Sequence, residues 1–283
     1  MLKLNQTQID SFHKDGFFHL KNFVDTDTVE LFHKNLLCQI EIILKEKNIN
    51  LNVYEYSDIN LLIKDVVKID RKILSYLYDG MKGLPLLFQI SSSKEILYLS
   101  NLLQNGKNPF LIDVNFRIDL PNEDKFSFDW HQDFWYTHTD PNSLVFWIPF
   151  TNINEKNGKL KVISLSKTKG QIAEVEAEKN FLAYNAAYRL KEGPEIDFND
   201  YFDFDMNAGD VLIFKHSVFH KSGVNSSDYY PRFTLQIRYS DYDLPVFKFQ
   251  NWRFGTISRD GSSYQNVQDS ILNFINKKKE NEK

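Results

Sequence analysis

A change in hydrophobic periodicity near Pro109 constrains the fold of this chain more than any other feature. Before this point, apolar residues recur at helical spacing in residues 7–14, 25–44, 61–78 and 92–103, with a short strand predicted at 17–20. After it, β-rich runs alternate with turn residues at 110–120, 143–150, 159–163, 211–214 and 233–239. A helical part followed by many short strands predicts an α+β fold whose second part is a jelly roll or sandwich.

Charge and hydropathy argue against two classes of partner. The formal net charge of −4 is unlike that of nucleic-acid-binding proteins, which usually have a basic face. The first residues lack the apolar segment of a secretory signal, and no run approaches the roughly 18 apolar residues of a membrane span. We therefore expect a cytoplasmic protein. We also expect a buried Cys38, since it lies in a helical pattern, and a frayed C-terminal tail at residues 277–283.

Two histidines and an aspartate form a candidate metal site. In an extended segment, residues two apart point to the same side, so His131 and Asp133 could approach one ion while Gln132 faces away. His220 would come from a distant strand that follows the Gly209-Asp210 turn. Two imidazoles and one carboxylate on one face of a divalent metal, with other positions open, are typical of non-haem Fe(II) oxygenases.

The residues alone leave two alternatives open. His216 lies four residues before His220 and could be the ligand instead, although the bend at residues 222–223 favours His220. Arg232, twelve residues after His220, could anchor a dicarboxylate cosubstrate through two parallel hydrogen bonds, and so could Arg238. A buried guanidinium normally needs a carboxylate partner, and at such a site the cosubstrate would be that partner.

Four segments together match the pattern of one enzyme family. Residues 9–17 are similar to its N-terminal entry, and Trp130-His131-Gln132-Asp133 to its metal motif. Residues 157–163 are similar to the following strand, and residues 209–232 to the distal part of the site. The combination resembles the phytanoyl-CoA dioxygenase family of Fe(II)/2-oxoglutarate-dependent oxygenases.

The resemblance implies a double-stranded β-helix (a cupin-like jelly roll) with a helical N-terminal region packed around it. The whole chain, 1–283, would be one such domain, with helical support at 1–108, the β-helix core at 109–245 and a C-terminal extension at 246–283. It assigns the iron to His131, Asp133 and His220, and the side-chain carboxylate of 2-oxoglutarate to Arg232. Further cosubstrate contacts are expected from Ser222, Trp147 and Phe116. Candidate residues of the substrate pocket are Arg117, Trp130, Trp135 and Tyr136.

The activity that the resemblance implies is a dioxygenase reaction with Fe(II), 2-oxoglutarate and O2. It would release succinate and CO2 and hydroxylate an unactivated C–H bond of a small metabolite. Because halogenating relatives lack the carboxylate, Asp133 favours hydroxylation. Where the family usually has Pro-Gly-Ser-His, this chain has Ser164-Leu165-Ser166-Lys167, which leaves the substrate class open, as the sequence also leaves the oligomeric state.

Two other functions compete with this one. A hydrolase could use the same side chains to hold zinc and activate water, but Arg232 would then have no role. A non-catalytic jelly-roll binding protein could keep the shape without turnover. Dependence on 2-oxoglutarate distinguishes the first from an oxygenase, and consumption of O2 distinguishes the second.

Overall fold

Helices occupy most of the chain before Pro109 in the computed structural model, which describes residues 3–106, 108–123, 127–178, 187–191, 196–252 and 267–281. The helices of this part are α1 (Gln6–Asp15), α2 (Thr26–Glu46), α3 (Ile59–Ile69), α4 (Ile73–Lys82), α5 (Pro85–Ser91) and α6 (Lys94–Gln104), with a 3-10 turn at Val53–Glu55. A single strand here, β1 (Phe17–Leu20), lies where the sequence predicts it.

Short polar side chains cap several of these helices. Asp25 caps α2 by accepting a hydrogen bond from the main-chain N–H of Thr28 at 2.7 Å, as its side-chain type predicts. The single helix predicted over residues 61–78 is wrong, because α3 and α4 are separate. Asp70 adopts an extended conformation between them and accepts a hydrogen bond from the N–H of Lys72 at 2.9 Å, which offers the backbone an alternative to the helix.

Strands dominate the following part of the chain. They are β2 (Pro109–Asp119), β3 (Leu144–Pro149), β4 (Lys161–Val162), β5 (Val175–Glu178), β6 (Ala187–Leu190), β7 (Val211–Lys215), β8 (His220–Lys221) and β9 (Arg232–Asp241). Further helices among the described residues are α7 (Phe134–Thr137), α8 (Leu165–Thr168), α9 (Pro245–Phe249) and α10 (Val267–Asn281). The result is a mixed α/β fold with an antiparallel sheet.

The large sheet has the order β1-β7-β3-β9-β2, and every neighbouring pair is antiparallel. Alternation of side chains along the strands separates its two faces, apart from a register shift in β2 between Leu111 and Asp113. One face carries apolar residues such as Phe116, Phe146 and Leu235, which pack with the N-terminal helices into the main core. The ring of Phe32 on α2 stacks on Phe150 at a centroid distance of 4.0 Å and closes this interface. The opposite face lines a cavity, which we call the chamber.

A second, shorter layer covers that opposite face. The strands β4 and β8 pair with each other, and isolated bridges add His131 to β8 and Phe202 to β4. Leu160 and Val162 from this layer pack with Trp147 and Phe214 of the large sheet. The chamber therefore lies between two β layers, and residues of both can face into it.

Two smaller predictions are wrong. Cys38 is exposed, because it lies on the side of α2 that points away from the buried stripe formed by Leu36 and Ile40. The tail is not frayed from residue 277, because α10 continues to Asn281.

In the described part of the chain, no helix combines the length and the apolarity needed to cross a bilayer.

Candidate metal centre

The two imidazoles and the carboxylate singled out in the sequence meet in one buried place. Donor atoms of His131, Asp133 and His220 all lie within 4.8 Å of one another. Oδ1 of Asp133 is 3.7 Å from Nε2 of His131 and 3.6 Å from Nε2 of His220. Their exposed fractions are 8, 2 and 5%, so bulk water is largely excluded.

Main-chain hydrogen bonds hold the two imidazoles side by side. The N–H of His131 donates to the carbonyl of His220 at 3.0 Å, and the reciprocal bond is also 3.0 Å. Gln132 faces away, as predicted, and its amide donates to the carbonyls of Gln171 and Ser217. The segment is not extended throughout, however, because Asp133 already has helical dihedral angles at the start of α7.

The ring nitrogens of both histidines are arranged for metal binding. Nδ1 of His131 donates to the carbonyl of Asp129 at 2.6 Å, and Nδ1 of His220 donates to the carbonyl of Val218 at 3.1 Å. Since a carbonyl only accepts, the proton resides on Nδ1 and the Nε2 lone pair is left for a metal. Burial lowers the pKa of His131 to about 3 and also lowers the pKa of His220, so both rings are neutral near pH 7.

Asp133 is ionised despite its burial. Burial alone would raise its pKa, but the guanidinium of Arg238 and the neighbouring histidines hold the pKa well below its usual range. Nε of Arg238 donates to Oδ2 of Asp133 at 2.7 Å. Two neutral imidazoles and an ionised carboxylate are a donor set that fits Fe(II), with no protein rearrangement needed to bring them together.

His216, the competing histidine, lies close by but outside this group. Its Nδ1 is 3.1 Å from Oγ1 of Thr137, and its side chain is fully buried. Burial lowers its pKa to about 3. Among the described residues, the cluster that could hold an ion contains His220 and not His216.

A cavity of about 400 Å³ opens beside the three side chains. Its floor is formed by cross-strand pairs of polar residues on β2 and β9, namely Asp113 with Arg238, Asn115 with Gln236, and Asp119 with Arg232. The apolar part of the lining includes Val145, Trp147, Leu160 and Phe214. A few polar groups on an otherwise apolar wall are typical of small-molecule sites.

Arg232 lies at one end of this floor and already has protein partners. Its Nε and Nη2 donate to Oδ2 of Asp119 at 3.2 and 3.1 Å, and its Nη1 donates to the carbonyls of Gly158 and Gly223. Arg117 binds the other oxygen of Asp119 at 2.6 Å. The expectation that a cosubstrate would be the carboxylate partner of Arg232 thus needs correcting, because Asp119 is that partner in this structure.

The structure brings some of the predicted pocket residues to the cavity and not others. Those that line it are Arg117, Tyr136, Trp147, Ser222 and Arg232. Phe116 faces the helices on the other side of β2, and Trp135 is buried with its indole N–H bonded to the carbonyl of Ala173 at 2.8 Å. Trp130 packs against Phe198 and Tyr201.

Four polar residues of the β2–β9 floor were not singled out from the sequence: Asp113, Asn115, Asp119 and Gln236. A signal for three of them exists. From Asp113 to Asp119 every second residue is polar and every residue between is apolar, which predicts one polar and one apolar strand face. Gln236 follows the same rule on β9, where it alternates with Leu235 and Ile237.

Comparisons with known proteins agree with this architecture. The chain resembles the epimerase SnoN from nogalamycin biosynthesis, solved with Fe3+, alpha ketoglutarate and nogalamycin RO (TM-score 0.56, 13% identity, 85% of this chain and 86% of that one). It also resembles the carbocyclase SnoK from nogalamycin biosynthesis (0.54, 14%, 85% and 86%). A third is EvdO2 from Micromonospora carbonacea var. aurantiaca, complexed with 2-oxoglutarate (0.53, 13%, 86% and 95%). At such low identity these likenesses show a shared fold.

The sequence itself identifies the family. A search of curated protein sequences gives no match. The sequence model of the family described as phytanoyl-CoA dioxygenase (PhyH) matches residues 93–234, which is half of the chain and includes both histidines, the aspartate and Arg232. Enzymes of this family use Fe(II), 2-oxoglutarate and O2. The resemblance seen in the sequence is confirmed: the chain belongs to the phytanoyl-CoA dioxygenase family.

Proposed function

We propose that this protein is an Fe(II)- and 2-oxoglutarate-dependent dioxygenase that hydroxylates an unactivated C–H bond of a small-molecule metabolite. The observation that carries the proposal is the buried group of His131, Asp133 and His220, whose Nε2 and Oδ1 atoms converge. These three side chains would hold Fe(II), which would supply the chemistry that links decarboxylation of 2-oxoglutarate by O2, with release of succinate and CO2, to oxidation of the substrate.

Arg232, Ser222 and Trp147 are the proposed cosubstrate contacts. Arg117 and Arg232 share the single carboxylate of Asp119, so this buried cluster keeps one net positive charge. Burial opposes ionisation of Asp119, but the two guanidinium groups lower its pKa to about 2, so the cluster keeps this charge near pH 7. One N–H of Arg232, of the five that a guanidinium offers, has no partner among the described residues. It can donate to the far carboxylate of 2-oxoglutarate.

The remaining cavity residues would receive the substrate. Arg117 and Tyr136 line the chamber and stay in the proposal as substrate contacts. Phe116, Trp130 and Trp135 are left out, since their side chains contact other parts of the protein. A cavity of about 400 Å³ is in the range of small-molecule sites, roughly 300–1,000 Å³.

The same observations support a double-stranded β-helix formed by one domain. The five-stranded sheet and the shorter layer of β4, β8 and their bridged neighbours would be its two faces. In such a domain, the helices before Pro109 cover the outer face of the larger sheet, and the metal lies between the layers.

The test is turnover with Fe(II), 2-oxoglutarate and O2, followed by measurement of succinate. We expect the wild type to form succinate, Asp133→Ala to form none above background, and Arg232→Ala to need a much higher 2-oxoglutarate concentration. A protein that hydrolyses a substrate with zinc and ignores 2-oxoglutarate would favour the hydrolase instead. A protein that binds 2-oxoglutarate yet consumes no O2 with any substrate would favour a binding role.

A further inference from the structure

We propose that Arg238 is a positioning residue that keeps one oxygen of Asp133 away from the metal, and that Asp113 holds Arg238 in place. This inference rests on the proposed function, because it concerns how many positions the metal keeps open for 2-oxoglutarate and O2. Neither residue is one of the three proposed metal ligands.

The two oxygens of Asp133 have separate partners. Oδ1 faces the imidazoles, at 3.7 Å from Nε2 of His131 and 3.6 Å from Nε2 of His220. Oδ2 accepts a hydrogen bond from Nε of Arg238 at 2.7 Å. Hydrogen bonds between charged groups are short and strong, so this contact fixes the rotation of the carboxylate.

Arg238 is itself held at all three of its nitrogens. Besides the bond to Asp133, Nη1 donates to Oδ2 of Asp113 and Nη2 to Oε1 of Gln236, both at 3.2 Å. Asp113 lies directly opposite Arg238 in the β2–β9 register, and Gln236 is two residues away on the same strand face. The side chain of Arg238 is 13% exposed and that of Asp113 is 50% exposed, so this chain of contacts runs from solvent to the metal centre.

A carboxylate can bind a cation through one oxygen or through both. If Oδ2 of Asp133 also bound the metal, it would take a position that a chelating keto acid needs. Arg238 competes for Oδ2 and thereby keeps the carboxylate to one metal contact. Its positive charge also opposes a nearby cation, so removing it should strengthen metal binding and weaken cosubstrate binding. A residue that only supported the fold would not produce these opposite effects.

The experiment is a pair of titrations on Arg238→Gln, first with Ni(II), which does not react with O2 as Fe(II) does, and then with 2-oxoglutarate on the Ni(II)-loaded protein. We expect Ni(II) affinity equal to or above that of the wild type, and 2-oxoglutarate affinity lower by about tenfold, which corresponds to about 1.4 kcal/mol of binding free energy. Arg238→Lys keeps the charge and one donor, so its loss should be smaller. Asp113→Asn should act in the same direction as Arg238→Gln but less strongly.

A matched control is Arg71→Gln, which removes another arginine–carboxylate pair, Arg71 with Glu123, outside the cavity. It should leave both affinities unchanged. Wild-type 2-oxoglutarate affinity in Arg238→Gln, or a parallel loss of Ni(II) and 2-oxoglutarate affinity, overturns the role of Arg238 alone. A wild type that binds Ni(II) but not 2-oxoglutarate overturns the proposed function and this role together.

Discussion

Asp119 lies between two guanidinium groups at the cavity, those of Arg117 and Arg232. Its side chain is 14% exposed and bonds to Arg117 through one oxygen and to Arg232 through the other. Burial of a carboxylate without partners would cost several kcal/mol, and the two guanidinium groups offset that cost. The residue therefore stabilises the fold and sets the charge of the proposed cosubstrate site.

The contribution of Asp119 to stability should appear in the way the free energy of unfolding changes with pH. The pKa of Asp119 is lowered from 3.8 to about 2, so its contribution is complete above pH 4 and is lost as the pH falls through 2. A shift of this size corresponds to about 2 kcal/mol of unfolding free energy. We expect Asp119→Asn to be less stable than the wild type at pH 7, and the difference to shrink by about 2 kcal/mol between pH 5 and pH 2.

Urea unfolding across this pH range provides the measurement. The exposed Asp79→Asn, whose wild-type side chain is 79% exposed, is the control and should follow the wild-type curve. Parallel curves for Asp119→Asn and the wild type would mean that Asp119 titrates alike in the folded and unfolded protein, against the pKa inferred from its two ion pairs.

Most residues of the metal centre could be predicted from the sequence. Fewer of the residues around it could. His131 and Asp133 follow from residue type and spacing, His220 was assigned over His216 by the resemblance to the family, and the structure brings the three together. Asp119 could not be assigned, because its partner Arg232 lies 113 residues away and only the β2–β9 register makes them neighbours. Phe116 was misplaced by resemblance alone, since alternation along β2 puts it on the face opposite Arg117.

Two loops of the shorter β layer approach so closely that only glycine fits. A Cβ added at Gly223 would lie 2.7 Å from the carbonyl carbon of Gly158 and 2.8 Å from the main-chain nitrogen of Lys159. Gly158 itself has φ +88°, a conformation that residues with a side chain rarely adopt. The carbonyl oxygens of both glycines accept hydrogen bonds from Nη1 of Arg232, so this contact also positions the proposed cosubstrate anchor.

Gly223→Ala should therefore separate the two loops. We expect a loss of about 1–3 kcal/mol in unfolding free energy, the usual range for overpacking, together with weaker 2-oxoglutarate binding. Gly83→Ala is the control, because its nearest neighbour would be 3.6 Å away and its φ is −85°. Urea unfolding and 2-oxoglutarate titration of the metal-loaded protein measure both effects. Wild-type values for Gly223→Ala in both assays would contradict this account.

Sequence patterns predicted most of the strands well but missed β8 and the break between α3 and α4. β2, β3, β7 and β9 lie within a residue or two of their predicted bounds, because each has a long run of strand-forming residues. β8 has two residues and forms only because β4 pairs with it, so no local pattern predicts it. The break between α3 and α4 depends on one side chain, Asp70, against an otherwise continuous apolar stripe.

At the scale of the whole molecule, the proposed metal ligands and the residues of the proposed cosubstrate site come from parts of the chain that are distant in sequence. Asp133 precedes α7, His220 begins β8, and Arg232 begins β9. Asp119 comes from the end of β2, at the edge of the large sheet. A metal and a keto acid bound among them would contact both β layers at once, so binding should stabilise the whole fold rather than one loop.

Thermal unfolding under anaerobic conditions should show this coupling. A ligand present at 100 times its Kd adds about 2.7 kcal/mol to the stability of a protein that binds it only when folded. For a chain of this size that corresponds to a rise in Tm of roughly 5–10 °C with Fe(II) and 2-oxoglutarate together. His220→Ala should lose the rise, because a ligand is removed, whereas His216→Ala should keep it despite starting from a lower Tm. Equal losses in both variants would mean that His216 takes part in metal binding, and an unchanged Tm in the wild type would mean that the three side chains do not hold Fe(II).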